Sequence, residues 1–354
     1  MHRYIPVAIT LSAGTAGALL FYWLGAPAAF LTGSAIAVTI AVALRLPTDL
    51  PRGLREPMLA VLGVMMGSGV KPDTLGALAE LPVAVVGLVI AIAGATAASY
   101  FVLRRLGGWD PLTALCGSIP GALQVTLATA VELGARIDRV VMSQALRLFI
   151  LVAIIPLVFG RSGDGGGQSR AFGSADASYT DIGLSLLLAF ACLMVARRFK
   201  FASGPVVIPL CVSAILSGAG VLNVSIPEVL AAGTFIVIGA SVAQRFDSMK
   251  GSDVWSTVWL SLVAFAAAFA VCISVAAAFS TMMGEPLGAV FLAYAPGGVD
   301  AMIALSFLLG FDVAFVAVLH ILRLILLSIA GPIIAIQMKR RSEAALLRRA
   351  AADD

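Results

Sequence analysis

Two stretches decide the fold: GSIPGALQ…ELGARID…QALRLFILVAIIPLV at residues 117–158, and AYAPGGVD…LLGFDVA…HILRLILLSIAGPII at residues 293–334. At a fixed offset of 176 residues, 11 of the 42 aligned positions are identical. Apolar composition alone matches Leu, Ile and Val, but it does not place the same Pro, Gly and Arg in register. The matched pairs of these types are Pro120/Pro296, Gly121/Gly297, Gly134/Gly310, Arg147/Arg323 and Pro156/Pro332. The pattern indicates a duplicated chain in which each half carries a Pro-Gly break and a charged residue inside apolar sequence.

The composition is that of an integral membrane protein. Of the 354 residues, 60% are hydrophobic and 12% are charged, whereas soluble domains average about 25% charged residues. The apolar runs of about 18 to 25 residues are long enough to cross a hydrocarbon core of about 30 Å. The net charge of +4 is the Lys/Arg excess expected of cytoplasmic loops, so we expect membrane lipid and not nucleic acid as a partner.

Twelve apolar segments are predicted, and a stretch rich in Gly, Ser and Asp separates the sixth from the seventh. The segments are roughly 5–24, 27–44, 54–70, 82–103, 110–132, 139–159, 180–197, 205–222, 228–245, 254–280, 287–309 and 312–336. We therefore expect four parts. These are a first membrane repeat at 1–160, a flexible linker at 161–179, a second membrane repeat at 180–338 and a basic cytoplasmic tail at 339–354.

The charges between the segments argue for two segments that do not cross. If all twelve crossed, the basic residues at 197–200 would lie outside, against the positive-inside rule. The conflict disappears if 110–132 and 287–309 enter and leave on the same side, at the Pro-Gly breaks. The sequence then predicts an all-α polytopic membrane protein with both termini cytoplasmic. Its halves would be two inverted repeats of about five spans, each with one broken or re-entrant segment. Broken helices that cross fully, with another segment failing to span, are the alternative.

Polar groups inside apolar segments are costly and need a reason. The candidate binding residues are Pro120, Gly121, Gln124, Gln144, Arg147, Pro296, Gly297, Gly298, Asp300, His320 and Arg323. The two arginines have two interpretations. In the structural one, each caps carbonyls freed by a break or pairs with Asp300 or Glu132. In the functional one, two cations and two half-helix N-termini flank a midplane site, which favours a small anionic solute.

Asp300 and His320 are the candidate coupling groups, since they titrate and the first half has Gln at both equivalent positions. A proton or a sodium ion would suit the coupling role, and a homodimer is compatible with the sequence.

The repeated LGAPAAFLTG…GSGVKPD…CGSIPGALQV…LRL pattern, with APGGVD in the second half, resembles the AbrB-type membrane protein family over about residues 10–336. The resemblance implies a duplicated inner-membrane protein linked to regulation of gene expression, with transport suspected of its members. Members also carry the label ammonia monooxygenase, but copper or di-iron oxygen chemistry needs clustered His and carboxylate ligands. The only histidines, His2 and His320, lie at opposite ends of the chain, so we expect neither an enzyme nor a metal or other cofactor.

The expected function is therefore a secondary transporter or exporter of a small anionic solute. The alternative is a non-transporting membrane regulator that affects gene expression through a partner.

Overall fold

In the computed structural model the described residues are 4–69, 81–120, 123–160, 178–199, 204–246 and 254–353. Within these ranges the chain forms fourteen α-helices, one short 3-10 turn at Gln244–Phe246 and no strand. The helices are α1 (Ile5–Trp23), α2 (Ala29–Ala43), α3 (Arg52–Gly67), α4 (Leu81–Arg105), α5 (Pro111–Ser118), α6 (Leu123–Leu133), α7 (Ile137–Phe159), α8 (Tyr179–Phe199), α9 (Gly204–Gly218), α10 (Glu228–Ala243), α11 (Val254–Met283), α12 (Leu287–Tyr294), α13 (Val299–Leu308) and α14 (Val313–Asp353). The predicted linker at 161–179 lies almost wholly outside the described residues.

Seven of these helices, α1, α4, α7, α8, α10, α11 and α14, are long and apolar enough to cross a membrane. The most apolar windows of α7 and α10 are each 61% buried inside the protein, against 22–28% for α1, α4, α8 and α11. The latter four therefore present apolar side chains outward, where lipid would cover them, while α7 and α10 lie at the centre. The prediction of a polytopic helical membrane protein is confirmed.

The duplication seen in the sequence is also present in the helix bounds. Both ends of α10 lie 176 residues after those of α3, and both ends of α12 lie 176 residues after those of α5. Gly134 and Gly310, which precede α7 and α14, both have a φ of +76°, a left-handed conformation that favours glycine. These described helices and turns of the two halves thus correspond.

The equivalent helices α4 and α11 run antiparallel to one another. Gly87, in the N-terminal part of α4, lies against the ring of Phe279 near the end of α11. Further along α4, the Ser99 hydroxyl donates a 3.0 Å hydrogen bond to the carbonyl of Ala264, in the N-terminal part of α11. The residue numbers rise on one helix as they fall on the other, so these two equivalent helices point in opposite directions.

The two halves also interlock through α3 and α10. Helix α3 packs on α8 and α9 of the second half, and its counterpart α10 packs on α1 and α2 of the first. Glycine permits these close approaches. A side chain at Gly63 would meet the carbonyl oxygen of Val206 in α9, and one at the equivalent Gly239 would meet that of Leu31 in α2.

Each pair of short helices, α5–α6 and α12–α13, forms a hairpin whose two ends lie together. The backbone N–H of Arg136, just after α6, donates a 2.8 Å hydrogen bond to the hydroxyl of Thr113 in the first turn of α5. In the second half the ring of Phe311, just after α13, lies against Gly288 in the first turn of α12. Four residues separate the helices of each pair. Pro120 and the Pro296-Gly297 sequence therefore lie between the two short helices of their pairs.

Candidate binding site at the two helix breaks

One face of α7 closes the carbonyl end of α5. The last carbonyls of a helix have no partner within it, and here side chains supply the donors. Arg147 donates to the carbonyl oxygens of Ser118 and Ile119, at 3.3 and 3.1 Å. The Ser143 hydroxyl donates to the carbonyl oxygen of Gly117 at 3.2 Å, and the Gln144 amide donates to that of Cys116 at 3.1 Å. Four consecutive carbonyls at the first break are thus satisfied by three side chains of a single helix.

The second break is closed less completely. Arg323, on α14, donates to the carbonyl oxygens of Ala295 and Gly297. His320, the counterpart of Gln144, makes no such bond. Its Nδ1 lies 3.0 Å from the carbonyl of Val316 in its own helix, and its buried Nε2 has no hydrogen-bond partner. The equivalent position therefore carries a polar group that helix capping does not use.

The two arginines form a buried cationic centre. Arg147 and Arg323 are only 5% and 2% exposed, and their guanidinium groups are close enough to repel each other. The carbonyl ends of α5 and α12 compensate part of this charge. The thiol of Cys272 on α11 donates a 3.7 Å hydrogen bond to the carbonyl of Tyr294, the last residue of α12. Among the described residues no Asp or Glu is buried, so no buried carboxylate balances the pair.

A second charged group lies beside the second break. The Arg55 guanidinium, in the first turn of α3, lies 3.5 Å from a carboxylate oxygen of Asp300, in the first turn of α13. Arg245, in the turn after α10, interacts electrostatically with both. Asp300 thus pairs with Arg55 and not with Arg323, while Glu132 is exposed on α6. Of the structural roles expected for the two buried arginines, the one present is carbonyl capping.

The predicted residues lie at the two breaks to the extent that they are described. Pro120, Pro296 and Gly297 are buried at the hairpin tips, and Gly298 lies against Leu148 of α7. Gly121 lies outside the described residues. Gln124 belongs to the first turn of α6, but its side chain is not among those described.

Sequence reasoning missed three residues of these groups. Ser143 adjoins Gln144 and Arg147 in the run SQALR, so helical spacing could have found it. Arg55 and Arg245 lie at the ends of apolar segments, where positive charges are expected of cytoplasmic loops. Only the tertiary structure brings them to Asp300.

Two hairpin breaks, each closed by a buried arginine among apolar helices of spanning length, define a duplicated polytopic membrane protein. The family described as "Transition state regulatory protein AbrB" matches residues 30–339, and the chain belongs to this family. It is 26% identical over 314 residues to "Putative regulator AbrB" of Escherichia coli (strain K12), covering 87% of this chain and 89% of the relative. It is 23% identical over 299 residues to "Uncharacterized protein YhjN" of Bacillus subtilis (strain 168), covering 78% and 77%. The resemblance to the AbrB-type family is confirmed, and neither relative is named as an enzyme.

Proposed function

We propose that the protein is a secondary transporter or exporter of a small anionic solute, which binds between the two hairpin tips. The observation that carries this proposal is the pair of buried guanidinium groups, Arg147 and Arg323, in a part of the chain whose described residues include no buried carboxylate. Burying a charge at membrane depth is expensive unless it is paired. A solute anion supplies the missing charge.

The arginines retain donors for such a ligand. A guanidinium has five N–H groups in a planar fork, and the described bonds of each arginine use two nitrogens on carbonyls. The N-termini of α6 and α13, which begin beyond the breaks, add positive dipole ends. The arrangement suits a carboxylate or another oxyanion better than a cation or an apolar molecule.

The architecture supports alternating access. Because α4 and α11 are equivalent and antiparallel, helices that cross a membrane would place the two halves in it as inverted repeats. The two hairpins would then enter from opposite faces and meet near the midplane, as the broken segments of secondary transporters do. Asp300 and His320, present in one half only, are the proposed sites for a coupling proton or sodium ion.

Cysteine accessibility tests the inverted arrangement. In a background without the four native cysteines, Arg198→Cys at the end of α8 should react with an impermeant maleimide only from the cytoplasmic side. Met282→Cys, in the last turn of α11, should react only from outside. Labelling of Arg198→Cys from outside, or of Met282→Cys from the cytoplasm, would contradict the inverted repeats.

Flux in proteoliposomes tests transport, with radiolabelled succinate and inorganic phosphate as first probes. Arg323→Gln should lower flux about ten- to a hundredfold, because a charge-assisted hydrogen bond is worth roughly 1.5–3 kcal/mol. Arg323→Lys keeps the charge and should retain more flux. Because Asp300 pairs with Arg55, adding Asp300→Asn to Arg323→Gln should not restore transport. If both Arg323 variants lose flux only in proportion to the folded protein recovered, the arginine caps carbonyls and does nothing more.

A membrane regulator is the second candidate, favoured by the name of the Escherichia coli relative. Helix α14 continues past its apolar part, which ends at Met338, as far as Asp353, and this extension offers a surface to a soluble partner. A regulatory phenotype that survives replacement of both Arg147 and Arg323, but not truncation after Met338, would favour the regulator.

A further inference from the structure

We infer that Arg55 and Arg245 form a second oxyanion site, separate from the central arginines, in which the Asp300 carboxylate is a built-in competitor of the ligand. The ligand class is a carboxylate or phosphate. The inference goes beyond the proposed function, because such a site would bind its anion whether or not the protein transports one.

The hydrogen bonding of this cluster leaves donors in excess. The contact between Arg55 and Asp300 is a single one of 3.5 Å, whereas close charge-assisted pairs lie at about 2.7–2.9 Å and are often bidentate. Arg55 Nε is buried and has no hydrogen-bond partner. The Asp300 carboxylate thus satisfies only part of the hydrogen-bonding capacity of the Arg55 guanidinium.

The position of the cations in the fold points the same way. Arg55 lies in the first turn of α3, whose positive dipole end disfavours a cation, and the neighbouring Arg52 opens the same helix. A helix start that carries two arginines is electrostatically unfavourable unless an anion lies nearby. With Arg245 in reach of both partners, Asp300 leaves the cluster one positive charge in excess.

The cluster is open to solvent and adjoins the central site. The side chains of Arg55 and Asp300 are 37% and 22% exposed, and charges at membrane depth face water-filled cavities, not lipid. Gly298, two residues before Asp300, lies against Leu148, the neighbour of Arg147. An anion held by Arg55 and Arg245 would therefore lie close to the buried arginines.

This site draws residues from both halves, and the duplication does not repeat it. At the positions equivalent to Arg55, Arg245 and Asp300, the chain has Ala231, Gly69 and Gln124. The cluster is therefore not part of the repeated scaffold. The residue at the equivalent of Asp300 also suggests a test variant, since Gln there preserves the polar volume without the charge.

Equilibrium titration of the purified full-length protein in lipid-free detergent tests the inference, with inorganic phosphate and succinate as probes and chloride holding the ionic strength constant. Removing the competitor should tighten binding, so Asp300→Gln and Asp300→Asn should each raise the affinity about tenfold, the effect of one charge-assisted contact. Arg55→Gln and Arg245→Gln should weaken it by a similar factor. The matched control is Asp138→Asn, an exposed carboxylate paired with Arg136 at 2.9 Å, which should change nothing.

Several outcomes would overturn the inference. One is unchanged or weaker binding in both Asp300 variants when their melting curves show folded protein. Another is binding that Arg323→Gln abolishes but that Arg55→Gln and Arg245→Gln leave intact, because the anion then lies only at the central arginines. The inference is also contradicted if neither inorganic phosphate nor succinate binds to the Asp300 variants.

Two further measurements separate this site from transport and from lipid. If the wild-type protein shows no flux but Asp300→Gln binds the anion more tightly, transport is refuted and the second site is supported. Repeating the titration in nanodiscs of phosphatidylcholine and of phosphatidylglycerol identifies the source of the oxyanion. Competition seen only with phosphatidylglycerol assigns the site to a lipid phosphate, and equal binding in both lipids assigns it to a soluble anion.

Discussion

The two helix breaks share one backbone plan and differ in how completely their polar groups are used. At the first break, Ser143, Gln144 and Arg147 satisfy four consecutive carbonyls. At the second, Arg323 and the thiol of Cys272 donate to the break, and the Nε2 of His320 has no partner. The first break thus has the character of a structural support, while the second retains polar groups that the fold does not need.

This difference shows how a duplicated membrane protein can divide its tasks. The features common to both halves, the Pro-Gly tip and the capping arginine, are what either half needs to hold a broken helix in apolar surroundings. The features that the duplication does not repeat, His320 and the group of Arg55, Arg245 and Asp300, are not required for that purpose. Substitutions at equivalent positions should therefore have equal effects in the scaffold and unequal effects at the breaks.

The largest effect should come from the glycines through which the halves interlock. Gly63→Ala and Gly239→Ala each place a methyl group against a backbone carbonyl of the facing helix. Overpacking of this kind costs about 3 kcal/mol, and both variants should show large and similar losses of thermal stability. The control is Gly233→Ala in α10, where an added methyl group has open space and stability should not fall. If only one of the two equivalent variants loses stability, the halves do not share their packing.

Local sequence patterns predicted the repeat and the breaks because their causes are local. Proline ends a helix, and glycine supplies the left-handed turn at Gly134 and Gly310. The same patterns could not identify the partner of Asp300, because Arg55 is 245 residues away in the chain. Nor could they decide between capping and anion binding for Arg147 and Arg323, since a buried cation among carbonyls suits both roles. Local patterns also could not predict that the two ends of each hairpin lie together, because this depends on contacts between separate helices.

A moderate and unequal loss of stability is expected where side chains of α1 and α8 bind the backbone that precedes α3 and α10. The Ser185 hydroxyl accepts the backbone N–H of the buried Ser225 at 3.1 Å, and the Thr10 hydroxyl accepts that of the exposed Asp49 at 3.0 Å. Ser185→Ala leaves a buried donor unpaired and should cost about 1–3 kcal/mol. Thr10→Ala should cost less, about 0.5–1 kcal/mol, because water can replace the lost acceptor. Chemical unfolding in detergent would measure both, and a larger loss for Thr10→Ala would contradict this account of burial.

The substitutions with the smallest expected effect on stability, Gln144→His and His320→Gln, should distinguish the roles of the two breaks most clearly. Gln144→His removes the amide that donates to Cys116 at 3.1 Å, and the loss of one such bond costs about 0.5–1.5 kcal/mol. His320→Gln removes no bond to the break and introduces the residue that caps the first one, so its stability should be unchanged or slightly higher. Flux should respond in the opposite order. His320→Gln should weaken the response of transport to a pH gradient, while Gln144→His should leave that response intact once corrected for folded protein. Equal destabilisation by the two variants would mean that His320 supports its break as Gln144 does, and the asymmetry between the halves would then lie with Asp300 and its two arginines alone.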